Sequence, residues 1–168
     1  MLKLHNTYSN TVEEFKPNSD SVKIYLCGPT VQSSPHIGHG RSAVVFDFLI
    51  RYLVYLDYEV NFVRNITDIE DKIIERAAEE GITTKELADR VTKEFQDAYK
   101  SLNCLPPDNE PKATETIDHI INFIEILIEN GYAYVTQSGV YFEVTNYKDY
   151  LKLSGRNKDC LLYTYPSP

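Results

Sequence analysis

Tryptophan is absent from this 168-residue chain, methionine occurs once and cysteine only three times. The three cysteines, Cys27, Cys104 and Cys160, are odd in number and far apart in the sequence. A disulfide framework like that of small secreted proteins is therefore not expected, and one thiol is free to serve chemistry.

Long hydrophobic runs are also missing. No apolar stretch approaches the roughly 20 residues that cross a bilayer, and the start of the chain, Met1-Leu2-Lys3-Leu4-His5-Asn6, lacks the apolar centre of a signal peptide. We therefore expect no membrane partner and a cytoplasmic location.

Basic residues are in deficit, with 17 Lys and Arg against 25 Asp and Glu, for a formal charge of −8. This balance argues against indiscriminate binding of nucleic acid, so an RNA partner would need a local basic patch or contacts outside this chain. With 42% hydrophobic and 25% charged residues, the composition is that of a soluble globular protein. The length allows one core and a small second subdomain.

The first third of the sequence predicts a strand–helix–strand unit. Residues 22–27 alternate apolar and polar side chains and end at a forced turn, Gly28-Pro29. Residues 39–56 are apolar around most of the helical axis, which predicts a helix buried on most sides. Residues 59–66 predict a second strand, and a crossover of this length favours parallel, right-handed pairing. The predicted fold class is α/β with a Rossmann-like beginning.

Two helices are predicted next. One opens at residues 68–71 and runs toward Gly81, and the other follows the capping-box pair Thr83 and Glu86 and ends near residue 102. Residues 104–111 contain three prolines and are predicted to be a connection.

A last helix and a hairpin follow this connection. Residues 117–128 carry an apolar stripe that ends before Gly131, and the stripe predicts core packing. Residues 132–136 and 140–144 flank Gln137-Ser138-Gly139 and predict a short β-hairpin.

The densest chemical signal lies between the first strand and its helix, in residues 27–41. Ligands of open α/β sheets bind at this end of the strands. Gly38 and Gly40 allow close approach to the backbone, and the helix N-terminus attracts anions. His36, His39 and Arg41 add donors. Together these features predict a phosphate site, although two histidines three residues apart are also compatible with metal ligation or with ordinary helix capping.

The combination of motifs resembles a known family. His36-Ile37-Gly38-His39 is similar to the His-Ile-Gly-His signature of class I aminoacyl-tRNA synthetases. Further segments resemble the cysteinyl-tRNA synthetases in particular: Cys27-Gly28-Pro29-Thr30-Val31, Val63-Arg64-Asn65-Ile66-Thr67-Asp68-Ile69-Glu70-Asp71-Lys72, Glu13-Glu14-Phe15-Lys16-Pro17 and Asp108-Asn109-Glu110-Pro111-Lys112-Ala113-Thr114. Gln32 stands where that family commonly has tyrosine.

The resemblance implies a division of the chain. Residues 1–106 correspond to the N-terminal half of a Rossmann-like catalytic domain, and residues 107–156 to the start of an α+β connective insertion. Residues 157–168 leave the family pattern, so we expect a truncated gene or a foreign tail and do not regard Cys160 as a zinc ligand. The second half of the nucleotide fold, a lysine-rich loop and a helical tRNA-binding region are missing.

The resemblance also implies site residues and cofactors. Cys27 corresponds to a ligand of an active-site zinc ion, one per subunit, whose other ligands lie outside this chain. Zinc binds thiolate far better than hydroxyl, so it can select cysteine over serine. ATP, used with Mg²⁺, would be bound by His36, Gly38, His39 and Gly40, with the two histidines as catalytic donors to the phosphates.

Four further residues are candidates for amino acid binding, and two of them have an alternative role. They are Gly28, Thr30, Thr67 and Asp68. Thr30 could instead only hold the turn, and Asp68, with Asp71, could cap a helix and supply its acidic first turn.

The implied function is that of a cysteine–tRNA ligase fragment. The complete enzyme would activate cysteine with ATP to cysteinyl-adenylate and transfer it to tRNA(Cys), as a monomer, whereas this chain alone is expected to be inactive or nearly so. Two alternatives are a cysteine ligase acting on an amino-sugar pseudodisaccharide and a non-catalytic zinc- or nucleotide-binding remnant.

Overall fold

The computed structural model describes residues 2–17, 19 and 21–156. The strands in this part are β1 (Lys3–Asn6), β2 (Thr11–Glu14), β3 (Ser21–Leu26), β4 (Glu59–Arg64), β5 (Ala133–Val135) and β6 (Val140–Phe142). The α-helices are α1 (Ile37–Tyr55), α2 (Asp71–Glu80), α3 (Thr84–Ser101) and α4 (Ile117–Glu129), the last preceded by a 3-10 turn, Ala113–Thr116. The predicted tail, residues 157–168 with Cys160, lies outside the described residues.

The described residues fall into two compact units, one within residues 17–118 and the other formed by residues 2–16 with 119–156. The larger unit contains the parallel pair that the sequence predicts. Strands β3 and β4 run side by side, with Ser21 beside Glu59 and Leu26 beside Arg64, and α1 forms the crossover. Both strands therefore end at the same edge of the sheet.

A third extended segment continues this sheet beside β4. The backbone N–H of Arg64 donates to the carbonyl of Asn109 at 3.1 Å, and that of Ile66 donates to the carbonyl of Pro111 at 2.9 Å. The sequence predicted only a connection here, because prolines remove backbone donors. The pairing uses the carbonyls of Asn109 and Pro111 and the N–H groups of Asp108 and Ala113, and the prolines of this segment remove none of these groups.

Helices α2 and α3 supply most of the core of residues 17–118. Thr83 and Glu86 form the predicted capping box, in which the Glu86 N–H donates to Thr83 Oγ1 at 3.1 Å and the Thr83 N–H donates to Glu86 Oε2 at 2.9 Å. The core side chains come from both helices, from α1 and from the segments after β3 and β4: Val31, Ala43, Ile66, Ile73, Ala77, Leu87, Ala88, Val91, Phe95 and Tyr99.

Helix α1 is less buried than the sequence predicted. Only Ala43, Ile50 and Leu53 are buried, and the Phe48 side chain on another face is 73% exposed. The prediction of burial on most sides is therefore wrong for this chain. The physical reason is area, because β4 and α3 are the main elements that pack against this 19-residue helix and they leave its other faces uncovered.

The unit formed by residues 2–16 and 119–156 contains two hairpins. The antiparallel pair β5–β6 confirms the predicted hairpin, and Gly139 in its turn has φ 148°. The β1–β2 hairpin, with Lys3 beside Glu14, was not predicted. Its strands are only four residues long and carry polar side chains on both faces, so they lack an alternating apolar pattern.

Helix α4 forms as predicted, but its apolar stripe is not packed in a core. Gly131 follows the helix with φ 72°, as a C-terminal cap requires. No residue of α4 is buried, and Phe123 is 62% exposed, so the prediction of core packing is wrong. A hairpin with strands of three residues offers too little surface to cover a 13-residue helix. Within the described part, no helix combines the length and apolar character that crossing a membrane requires.

The core of residues 17–118 yields a stability prediction. Leu87 on α3 is fully buried, whereas Leu153 is 63% exposed. Leu87→Ala leaves a cavity and should lower the free energy of unfolding by about 2–5 kcal/mol. The matched substitution Leu153→Ala should change it by less than about 0.5 kcal/mol. Urea denaturation of the unmodified protein and of both variants measures these changes in the free energy of unfolding. Equal denaturation midpoints for the two variants would contradict the assigned core.

Candidate functional site

A cavity of about 330 Å³ opens at the edge where β3 ends. Five of the residues predicted from the sequence line it: Cys27, Gly28, Thr30, His36 and His39. The thiol and both imidazoles, which come from opposite ends of the loop between β3 and α1, thus share one cavity. Arg41, which was predicted to add a donor, is exposed and does not line it.

The backbone at Gly28 is pressed against the chain after β4. A Cβ atom built on Gly28 would lie 1.5 Å from the carbonyl oxygen of Asn65, so only glycine fits here. The Gly28 N–H donates to Asn65 Oδ1 at 2.8 Å. Cys27, the residue before this contact, is an exposed free cysteine at the cavity wall.

His36 and His39 cap the N-terminus of α1 in a reciprocal arrangement. The Gly38 N–H donates to Nδ1 of His36, and the His36 N–H donates to Nδ1 of His39, both at 3.1 Å. A nitrogen that accepts a hydrogen bond carries no proton, so each neutral ring holds its proton on Nε2. Both Nε2–H groups are therefore donors at a helix N-terminus, which suits an anionic ligand.

The two imidazoles differ in their surroundings. Their ring centroids lie 3.9 Å apart, and the His39 ring meets the edge of Phe95 at 4.9 Å. Burial lowers the pKa of His39 below the ordinary imidazole value of 6.5, and a charge on His36 lowers it further. His39 is accordingly a neutral hydrogen-bond donor near pH 7.

Gly38 and Gly40 do not line the cavity, and neighbouring protein atoms limit the space at both positions. A Cβ atom on Gly38 would lie 2.9 Å from Cε1 of His36, and one on Gly40 would lie 3.1 Å from Cδ1 of Leu102. Close approach of a nucleotide to these two glycines stays a prediction.

Thr67 lies beside the cavity and Asp68 lies elsewhere. Thr67 pairs with Thr30 across the sheet edge but does not line the cavity. Asp68 accepts hydrogen bonds from the backbone and the hydroxyl of Thr114 and lines a separate cavity of about 680 Å³ against α2 and α3. The alternative interpretation of Asp68 as a helix cap is wrong, because Glu70 is the N-cap of α2.

Arg64 and Tyr99 also line the cavity, and the sequence did not identify them as site residues. Arg64 is 5% exposed, and its guanidinium donates to Glu110 Oε1 at 2.8 and 3.2 Å. The guanidinium carbon lies 4.3 Å from the centroid of the Tyr99 ring. Arg64 falls in the same alternating phase of β4 as Val60 and Phe62. That position could have identified it, because a buried charge needs partners.

The described residues do not form a complete metal site. Within the described ranges, no three His, Cys, Asp or Glu side chains cluster closely enough to hold a metal ion. Cys27 could therefore be only part of a ligand set, and zinc binding stays a prediction.

The larger unit thus combines a parallel strand–helix–strand crossover with a histidine pair at the start of its helix. The family model for the class I (C) tRNA synthetase catalytic domain matches residues 14–164, and the chain belongs to this family. The match continues into residues 157–168, the segment that we predicted to leave the family pattern.

The similar curated proteins are cysteine–tRNA ligases. That of Methanococcus vannielii is 49% identical over 163 residues, and that of Shewanella denitrificans is 48% identical over 163 residues, in both cases across 96% of this chain. That of Rickettsia bellii is 52% identical over 156 residues, which are 91% of this chain. These alignments cover only 34–36% of each relative, so the chain spans about a third of their length.

The lowered pKa of His39 yields a prediction for this chain. We expect the imidazole of His39 to titrate below 6.5 in NMR spectra, with the neutral ring protonated on Nε2. His36→Ala should move the titration midpoint of His39 only part of the way back to 6.5, because burial is the larger cause of the lowered pKa. Since the folded-state pKa is lowered, the stability that His39 contributes is present above pH 6.5 and is lost as the pH falls through the folded-state pKa. A His39 midpoint at or above 6.5 would contradict the assigned packing.

Proposed function

We propose that this chain is the N-terminal portion of a cysteine–tRNA ligase. The full-length enzyme would activate cysteine with ATP and transfer the cysteinyl group to tRNA(Cys). The observation that carries the proposal is the single cavity lined by the Cys27 thiol and by both imidazoles of the His36-Ile37-Gly38-His39 motif. The two alternatives, a ligase for an amino-sugar acceptor and a non-catalytic remnant, find no support among the relatives, which are cysteine–tRNA ligases.

The chain by itself would have little or no activity. It spans about a third of the length of its relatives, and the apolar faces of α1 and α4 are partly exposed. We propose that residues 1–106 form the first half of a Rossmann-like catalytic domain and that residues 107–156 begin a connective insertion. The parallel β3–α1–β4 unit supports the first assignment.

In the proposed reaction, a carboxylate oxygen of cysteine attacks the α-phosphorus of ATP. The bond from that phosphorus to the bridging oxygen breaks, and pyrophosphate leaves with Mg²⁺. No protein nucleophile is required, so the protein contributes alignment and charge stabilisation. The Nε2–H groups of His36 and His39 would donate to phosphate oxygens as negative charge develops, and the N-terminus of α1 would add its dipole.

Cys27 would serve as one ligand of a zinc ion that selects the substrate. The exposed thiol at the cavity wall fits this role, since a thiolate is the ligand that zinc prefers. When bound, zinc would hold the sulfur of cysteine and discriminate against the harder hydroxyl of serine. Gly28 and Thr30 line the same cavity and would contact the amino acid, with Thr67 at its edge. Asp68 would reach the substrate only by leaving Thr114.

The remaining assignments follow from the same function. ATP, cysteine and tRNA(Cys) are the proposed substrates of the full-length enzyme, which would act as a monomer in the cytoplasm, where translation takes place. The charge of −8 implies that tRNA is held by a local basic patch or by regions outside this chain.

The metal-selectivity hypothesis is tested by pyrophosphate exchange with the full-length enzyme. We expect exchange with cysteine but not with serine. Mutation of residues that only hydrogen-bond to a metal ligand typically reduces activity by roughly 10–100-fold. Cys27→Ser removes a proposed ligand itself, so it should reduce kcat/KM for cysteine by more than this and should cause a loss of bound zinc. The matched control Cys104→Ser, half-buried and outside the cavity, should stay within about twofold. Equal rates with both amino acids, or no loss in Cys27→Ser, would reject zinc selection.

The role of the histidines is tested separately with His36→Asn in the full-length enzyme. Asparagine retains an acceptor for the helix cap but lacks the Nε2–H donor. We expect kcat of the exchange reaction to fall by about 10²–10³-fold with little change in thermal stability. His5→Asn, in the β1 strand, is the matched control and should have no effect. A His36→Asn enzyme with full kcat would refute the assignment of this imidazole.

A further inference from the structure

We propose that Asn65 is a positioning residue, whose side-chain amide turns the Thr67 hydroxyl into a hydrogen-bond donor for the amino acid substrate. The inference rests on the proposed function and adds a residue that the motif analysis did not single out. Asn65 directly follows β4 and stands opposite the turn that carries Cys27.

The Asn65 side chain links three groups at the edge of the sheet. Its Oδ1 accepts from the Gly28 N–H at 2.8 Å and from the Tyr25 hydroxyl at 3.0 Å. Its Nδ2 donates to Thr67 Oγ1 at 3.2 Å. The Asn65 side-chain amide therefore links the end of β3 to the segment after β4. We place the proposed amino acid subsite between these two segments.

The orientation of this amide is fixed by chemistry. The backbone N–H of Gly28 can only donate, so the amide oxygen of Asn65 must face it. The NH₂ group then faces Thr67 and, having no lone pair to offer, can only donate. The Thr67 oxygen is consequently an acceptor in this contact, and its own proton points elsewhere.

The Thr67 proton is thereby available to a ligand. Within the part of the chain that the structure describes, the Thr67 hydroxyl donates to no other group. Thr67 is half-buried and pairs with Thr30, which lines the cavity beside Cys27. The strongest acceptor on the proposed substrate is the carboxylate of cysteine, so Thr67 would recognise the amino acid and Asn65 would set the direction of that bond.

Asn65→Asp in the full-length enzyme separates these roles. A carboxylate still accepts from Gly28 and Tyr25, but it also accepts from Thr67, so the hydroxyl proton turns toward residue 65 and is lost to the substrate. We expect KM for cysteine in pyrophosphate exchange to rise by about tenfold or more, with KM for ATP within about twofold of the unmodified value. Thermal unfolding reports whether the variant remains folded.

Two comparisons decide whether Asn65 acts through Thr67. The matched control Asn61→Asp places the same charge on an exposed position of β4 and should leave both KM values unchanged. In a Thr67→Val background, Asn65→Asp should have a much smaller effect on KM for cysteine than in the unmodified enzyme. The same fold-change in both backgrounds, or a parallel rise in KM for cysteine and ATP, would overturn the proposal. An unmodified enzyme without cysteine-dependent exchange would instead reject the proposed function.

Discussion

The close approach between Gly28 and Asn65 is the contact on which the site depends. Parallel pairing brings the ends of β3 and β4 to one edge, but a side chain at residue 28 would force the two chains apart, since its Cβ would occupy the position of the Asn65 carbonyl oxygen. Because Gly28 has no Cβ, its backbone N–H can donate a hydrogen bond to the side-chain oxygen of Asn65. Cys27 is held at the cavity wall as a result.

The two walls of the cavity have different proposed roles. The β3 side presents a thiol that is exposed and free, as a soft metal ligand must be. The α1 side presents two imidazoles whose backbone hydrogen bonds leave Nε2–H groups as donors. Burial lowers the pKa of His39 and so favours the neutral ring near pH 7, the form that the proposed hydrogen bond to phosphate requires. Under the proposed function, selection of the amino acid and binding of the nucleotide would depend on separate sets of atoms.

Local patterns predicted local structure well. The strand before Gly28, the capping box at Thr83 and the hairpin around Gly139 each depend on neighbouring residues, and each is present. Burial was predicted poorly for α1 and α4. An apolar pattern indicates that a helix can be buried, but it does not indicate how much of the rest of the protein packs against that helix. The β1–β2 hairpin escaped detection since its short polar strands carry no periodic signal.

The residue types of the site, a cysteine, two histidines and the glycines around them, could be identified before any coordinates, because their chemistry and spacing are properties of the chain. Their geometry could not, since it depends on pairing between segments about 40 residues apart. The proton positions on the imidazoles follow from hydrogen bonds within residues 36–39. Hydrogen bonds between distant segments, in contrast, established the separation of Asp68 from the cavity and the placement of Arg64 and Asn65. Such contacts join residues that no local pattern connects, and folding alone brings them together.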